Sequence, residues 1–502
     1  MEKNFFQKGT THRNISIFTP SINPRTQFNK NMENKIKRDT ALINLVSDFE
    51  NKFEQGEVGY LDEKIYLQLL EYYEDEYLFE KALEVVEFAM EQYKYRSDFY
   101  IIKARLLLNL NKTNDCLSTL EIAENIAPFE REISIIKVRA FALKKQFLKA
   151  QEILDELRIG ATKTDFTEIL IAESFIYENM KDYNSMYDAL SKAVLLDSSN
   201  EEAMERVWIS AELSRRYEDS VNLHKLIIEK DPYNYQAWYN LGHGYNCIWE
   251  YEKAIDALEY SFIVNPDFES AYLDCADTCL QIKDYERALE IYIEANSKFG
   301  PNNELMVNIA HCYIYMDRIS IAKQWLLKTI KLDAFNDEAF FLLGECYSRD
   351  QVWYNAINAY HKAIEIENRR EEYYLGIAKA YLAVEDYNKA TINFQMATQT
   401  GPEETLYWKE YICFLIKIGL LDEALQVLDE AEDHTYGADL LFCRAVVYYL
   451  QRNKSDCMDL LEEALIENFD QHNIMFEIAP ELKLDKDIIS IIKYFSDEDH
   501  LI

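Results

Sequence analysis

The sequence predicts an all-α protein made of stacked helical hairpins, on three observations. The 502 residues include only 12 Gly and 8 Pro, too few to turn a chain of many short strands. A column of small or slender residues returns every 34 positions: Ala254, Ala288, Ala322, Ala356, Ala390 and Ala424 forward, Ser220, Met186, Ala150, Cys116 and Ala82 backward with one small insertion, and Cys457 one residue early at the far end. Aromatic and proline columns keep the same register. Tyr245 matches Tyr73, Phe141, Tyr177, Tyr313, Tyr347, Tyr381 and Tyr448, while Pro266 matches Pro128, Pro232 and Pro402. Two antiparallel helices approach closely only where small side chains let their backbones meet, and a proline stops the second helix. Each hairpin then has one apolar face that it cannot cover alone, and stacking covers it.

Residues 1–38 are polar, contain Pro20 and Pro24, and show no helical period, so they read as a disordered arm. The arm is basic: Lys3, Lys8, Arg13, Arg25, Lys30, Lys35, Lys37 and Arg38 face only Glu2 and Glu33. Residues 39–62 read as an N-terminal capping helix and loop, because "DTALINLVSDFENKFEQ" has apolar residues at helical spacing behind an aspartate. The repeats fill 63–469, with copies starting near 63, 97, 131, 167, 201, 235, 269, 303, 337, 371, 405 and 438. Residues 470–502 read as a C-terminal capping helix and acidic tail. In "KLDKDIISIIKYF", Asp485 or Asp487 begins the helix, and its Ile and Phe residues cover the last hairpin.

The most regular copy, "AWYNLGHGYNCIWEYEKAIDALEYSFIVNP", spaces Trp238, Leu241, Gly242, Tyr245, Ala254 and Pro266 in a pattern that resembles the tetratricopeptide repeat. The whole chain also resembles the long cytosolic arrays of that family found in Bacteroidota. The resemblance implies a right-handed α-α superhelix, a solenoid of about twelve 34-residue hairpins whose first helices line a concave groove. It also implies that the groove is lined by the columns of Gln236, Tyr239, Asn240 and His243. On that basis the candidate ligand residues are Tyr239, Asn240, His243, Asp274, Asp277, Asn308 and His311.

The charge narrows the partner. The formal net charge is −36, with 89 Asp and Glu against 53 Lys and Arg. Such a surface repels nucleic acid and anionic membrane, so neither DNA nor membrane is expected. Without the arm the remainder carries −42. The groove columns are acidic as well, with Asp98, Glu132, Glu168, Glu202, Glu205, Asp274, Asp277, Glu304, Glu338 and Glu372. A basic peptide or protein face is the matching partner. The carboxylate clamp by which some members of the family grip a chaperone tail is absent, since no three consecutive copies carry its Lys and Asn pattern. Glu205, Ile209, Ser270, Asp274, Glu304 and Asn308 stand at the required places.

Other chemistries are disfavoured. His243 and Cys247 lie four apart, as do Cys275 and Cys279, but Cys275 and Cys279 fall in packing columns, and no C-x-x-C occurs. No cofactor, metal or catalytic residue is expected. Arg105, Arg139 and Arg206 make a partial basic stripe, interrupted by Glu132, Glu168 and Glu202, so an RNA-binding role ranks last. The N-terminus lacks an apolar core of leader length, which points to the cytoplasm. The expected function is a non-enzymatic scaffold or adaptor. The alternative is an autoinhibited regulator whose arm competes for the groove.

Overall fold

The computed structural model describes residues 42–53, 55 and 59–498. The predicted arm, residues 1–38, lies outside them. The chain divides into two units, before and after the Arg216–Tyr217 junction.

In the first unit, α1 (42–53) precedes four antiparallel hairpins and one further helix. The hairpins are α2 (Glu63–Asp75) with α3 (Phe79–Gln92), α4 (Ser97–Asn109) with α5 (Thr113–Ile126), α6 (Arg131–Leu143) with α7 (Phe147–Arg158), and α8 (Lys163–Met180) with α9 (Tyr183–Leu196). Then comes α10 (Glu201–Ser214). The second unit opens with α11 (Tyr217–Lys230) and continues with α12 (Tyr235–Cys247), α13 (Tyr251–Val264), α14 (Glu269–Gln281), α15 (Tyr285–Phe299), α16 (Asn303–Tyr315) and α17 (Ile319–Leu332). It ends with α18 (Asp337–Arg349), α19 (Trp353–Ile366), α20 (Glu371–Ala383), α21 (Tyr387–Thr400), α22 (Thr405–Lys417), α23 (Leu421–Glu432), α24 (Ala438–Leu450), α25 (Lys454–Glu467), α26 (Asn473–Ile478) and α27 (Lys486–Glu498). No strand occurs among the described residues.

The first helix of each hairpin begins where the sequence register puts it, except α8. That helix starts at Lys163, four residues before the register position 167. The cause is local. Thr162 Oγ1 accepts from the Asp165 amide while Asp165 accepts from the Thr162 amide at 2.7 Å, a reciprocal cap that fixes an earlier start. Asparagines do the same elsewhere: Asn200, Asn234 and Asn336 each accept from the amide three residues on, at 2.7–2.8 Å. At the C-terminus it is Asp485, not Asp487, that caps α27, through the Asp487 amide at 2.9 Å.

The small-residue column does what its size demands. Ala82, Cys116, Ala150, Met186, Ser220, Ala254, Ala288, Ala322, Ala356, Ala390, Ala424 and Cys457 are all at 0% exposure, at the crossing of paired helices. Ile488 and Ile492 of α27 join the buried cluster that contains Leu461 and Leu465 of α25, which closes the C-terminal end of the second unit.

The turns inside the hairpins share one geometry. Twelve residues take a left-handed backbone: Tyr77, Asn111, Lys145, Lys181, Arg215, Trp249, Lys283, Asp317, Gln351, Glu385, Gly419 and Arg452. After each, an amide reaches back five residues, as Glu250 does to the Tyr245 carbonyl at 2.9 Å and Asp284 to Cys279 at 2.9 Å. Only Gly419 meets this conformation without strain. Gly419→Ala should therefore cost about 1 kcal/mol, read as a lower urea midpoint at constant slope. Trp249 uses its turn to stand 78% exposed, whereas Trp353 opens α19 half-buried against the C-terminal cluster.

Candidate interaction face

The candidate residues of the second unit sit on α12, α14 and α16, the first helices of three consecutive hairpins. Three of them meet. The Tyr239 hydroxyl donates to Asp274 Oδ2 at 2.5 Å, and His243 Nε2 lies 3.1 Å from the same oxygen. The Tyr239 and His243 rings cross edge to face, 4.4 Å between centroids. Burial, and then the bond to Asp274, raises the Tyr239 phenol above its ordinary range.

Asp277 belongs to a different arrangement. It accepts from the Tyr292 hydroxyl of α15. Desolvation raises its carboxyl and the Tyr292 bond opposes this, while the nearby charges of Asp274 and Glu304 raise it further. His311 faces Glu338, Nε2 to Oε1 at 3.6 Å, and burial lowers its basicity. Asn308 is half-buried on α16 and joins neither cluster.

Asn240 is a correction. The groove column places it at the surface, but it is 4% exposed, and its amide donates to His224 Nε2 at 3.2 Å. His224 is itself fully buried on α11 and donates from Nδ1 to the Ser220 carbonyl at 2.8 Å. Burial lowers its pKa to about 4, although the bond to Ser220 pulls the other way. Asn240 thus serves the interior, and the exposed patch loses it.

One contact recurs along this face. The ninth residue of a first helix touches the sixth residue of the next first helix: His243 with Asp274, and Lys379 with Glu410 at 3.1 Å. In the first unit Phe175, ninth in register, carries the Arg206 guanidinium 3.6 Å above its ring centre.

The three arginines of the interrupted stripe are already engaged. Arg105 pairs with Glu74 at 3.2 Å, Arg139 with Glu202 at 2.9 Å, and Arg206 with Glu178 at 2.9 Å. Arg139 also lies over the Phe175 ring, 4.4 Å from its centre. Among the described residues, these three leave no open basic stripe for phosphate.

The same helices hold a cleft of about 630 Å³ that sequence reasoning did not pick out. Ile135, Ile136 and Ile171 line it, with Phe129 at its edge and Glu132, Glu168 and Glu202 from α6, α8 and α10. Glu168 makes no ion pair among the described residues, and burial followed by the charges of Asp165 and Glu132 raises its carboxyl. The signal was present as an acidic column, but the apolar residues beside it read as core.

Among the described residues, no group of three or more His, Cys, Asp or Glu side chains could hold a metal, and no helix is long and apolar enough to cross a membrane. Cys275 and Cys279 are both at 0% exposure and act as packing residues.

The family described as "YpiA-like, C-terminal tetratricopeptide repeats" matches residues 372–434. The TPR repeat-containing protein YpiA of Bacillus subtilis (strain 168) is 20% identical over 351 residues, covering 70% of this chain and 82% of that one. Human protein O-mannosyl-transferase TMTC3 is 22% identical over 206 residues, 38% of this chain and 22% of that protein. Among solved structures, a tetratricopeptide repeat protein from Parabacteroides merdae covers 52% of this chain and 98% of its own at 14% identity, with a TM-score of 0.39. Fold and face together define a solenoid of helical hairpins, a class whose members act as protein-interaction scaffolds. The chain is a tetratricopeptide repeat protein.

Proposed function

We propose that this protein is a non-catalytic adaptor that binds a basic, extended segment of a partner protein along its first helices. The observation that carries the reading is the row Glu132, Glu168, Glu202 on three successive first helices, beside an isoleucine floor in the first unit. The three arginines nearby pair with Glu132, Asp165 and Glu202, and among the described residues Glu168 makes no ion pair of its own, although the Arg131 and Arg139 charges act on it. A lysine or arginine side chain of a partner would supply one, and its methylenes would lie on the apolar floor. Asp277 of the second unit offers a similar carboxylate, held in place by Tyr292. The basic arm is the natural intramolecular competitor for the same carboxylates.

The test is calorimetric titration of an extended Lys/Arg-rich peptide into the full chain at two salt concentrations. Glu168→Lys should weaken binding at least about tenfold, a change of roughly 1.4 kcal/mol, and flatten the salt dependence. Asp274→Lys with Asp277→Lys reports the second unit separately, and removal of residues 1–38 should tighten binding. Binding that ignores salt and all three changes would overturn the proposal.

A further inference from the structure

A second contact recurs, between a lysine and a ring. The lysine just before the small-residue column lies over the aromatic side chain of its own hairpin. Lys81 stands over Tyr73 at 5.8 Å, Lys149 over Phe141 at 5.6 Å, Lys253 over Tyr245 at 5.6 Å and Lys389 over Tyr381 at 5.1 Å, each to the ring centre. In two of these hairpins the helix before it answers the tyrosine hydroxyl. Glu50 of α1 accepts from the Tyr73 hydroxyl at 3.2 Å and from Lys81 Nζ at 2.5 Å. His361 of α19 places Nε2 2.8 Å from the Tyr381 hydroxyl.

At Tyr245 the preceding helix brings the opposite charge. Lys225 of α11 puts its ammonium 5.2 Å from the same ring centre as Lys253, so two cations share one ring. Among the described residues Lys225 makes no ion pair and the Tyr245 hydroxyl makes no hydrogen bond. Lys253 has only the exposed carboxylate of Glu250, a surface pair of little worth. These groups border a cleft of about 360 Å³ between α11 and α13. Its floor is apolar: Leu241, with Trp238 and Tyr260 stacked 4.8 Å apart between ring centres. Glu229 and Asp256 line it too. An acid at the Asp256 position does not bar a second carboxylate, since Glu84 stands at that position of the first hairpin, in the cleft that Glu50 lines.

We propose that the cleft between α11 and α13 is a docking site for an acidic, aromatic segment of a partner protein. One carboxylate of that segment takes the role that Glu50 has in the first hairpin. It accepts from the Tyr245 hydroxyl and from Lys225 and Lys253, and it relieves the repulsion between the two cations. An aromatic side chain next to it lies on Trp238 and Leu241, as Phe49 beside Glu50 lines the corresponding cleft at Tyr73. The first-helix face and this cleft select opposite charges, and each binds without the other.

The probe is an acetylated, amidated hexapeptide with one glutamate flanked by phenylalanines, titrated into the full chain by ligand-observed NMR beside its glutamine counterpart. The glutamate probe should bind at least about tenfold more tightly. Lys225→Met and Tyr245→Phe should each remove most of that preference, whereas Glu168→Lys should leave it intact. Thermal unfolding checks that each variant folds, and where one melts early the wild-type coupling map decides. For that map, carbodiimide joins the probe carboxylate to the nearest lysine, and digested peptides are weighed. Lys225 and Lys253 should carry at least about tenfold more probe than Lys417, an exposed lysine that also makes no ion pair among the described residues. Equal binding of the two probes, or binding of neither, would overturn the carboxylate site. Coupling spread evenly over the lysines would overturn its location.

Discussion

Tyr360→Ala should destabilise the second unit by about 3–5 kcal/mol, the largest effect expected of any single change in this chain. The Tyr360 ring is 1% exposed and fills a slot that two glycines make for it. A Cβ on Gly344 of α18 would fall 2.6 Å from the ring, and one on Gly376 of α20 would fall 2.8 Å from it. The phenol donates to Glu345 at 2.5 Å and lies 3.1 Å from the Ser348 hydroxyl. Truncation therefore removes a ring that two successive hairpins share and strands a half-buried carboxylate partner. Gly344→Ala attacks the same slot from the opposite side and should cost about 1–3 kcal/mol, since a rigid ring cannot yield as an alkyl tip would. In the Tyr360→Ala background the cost of Gly344→Ala should vanish. A double-mutant cycle in urea reads this directly, and additive effects would show that the slot is not shared.

Acid should weaken the second unit through His224. Its folded pKa is depressed to about 4 from an ordinary 6.5. The unfolded chain therefore takes up the proton first, and stability is full above pH 6.5. It falls as the pH drops through 6.5 towards 4 and levels off below. The full loss is on the order of 3 kcal/mol, from about 1.4 kcal/mol per unit. His224→Leu should lower stability at pH 7, because it removes the His224 Nε2 acceptor from the buried Asn240 amide. It should also remove most of the difference between pH 7 and pH 4 that is not shared with surface carboxylates. Urea midpoints of wild type and variant across that range measure the difference. Parallel curves would mean that the imidazole stays hydrated.

The period, the helix starts and the buried small column were legible in the sequence, because helix crossing imposes a size limit that repeats every 34 residues. The one long side chain in the column, Met186, is accommodated fully buried. The interaction face was legible only by column. Asn240 shares its column with Asp274, and nothing within one repeat says that the former is buried. The reason lies 16 residues earlier, where His224 presents a ring nitrogen 3.2 Å from the Asn240 amide. The partners of the arginines were hidden for a related reason. Arg139 finds Glu202 63 residues away, so its charge looks free in the sequence and is neutralised in the fold. Tyr239 and Asp274 meet because their columns are adjacent on adjacent repeats. The α8 start was missed although Thr162 and Asp165 spell its cap.

The turns inside the hairpins have a consequence for how such a chain changes length. All twelve take the same left-handed step and close with the same five-residue return, yet eleven do so without glycine. The joint is thus defined by backbone geometry, with almost no demand on residue type. Any whole unit cut out between two joints leaves behind ends that already match. A gene encoding this chain can gain or lose 34 codons at a time without disturbing the helices on either side. The number of side chains offered to a partner is then adjustable in steps, while the chemistry of each step is free to drift.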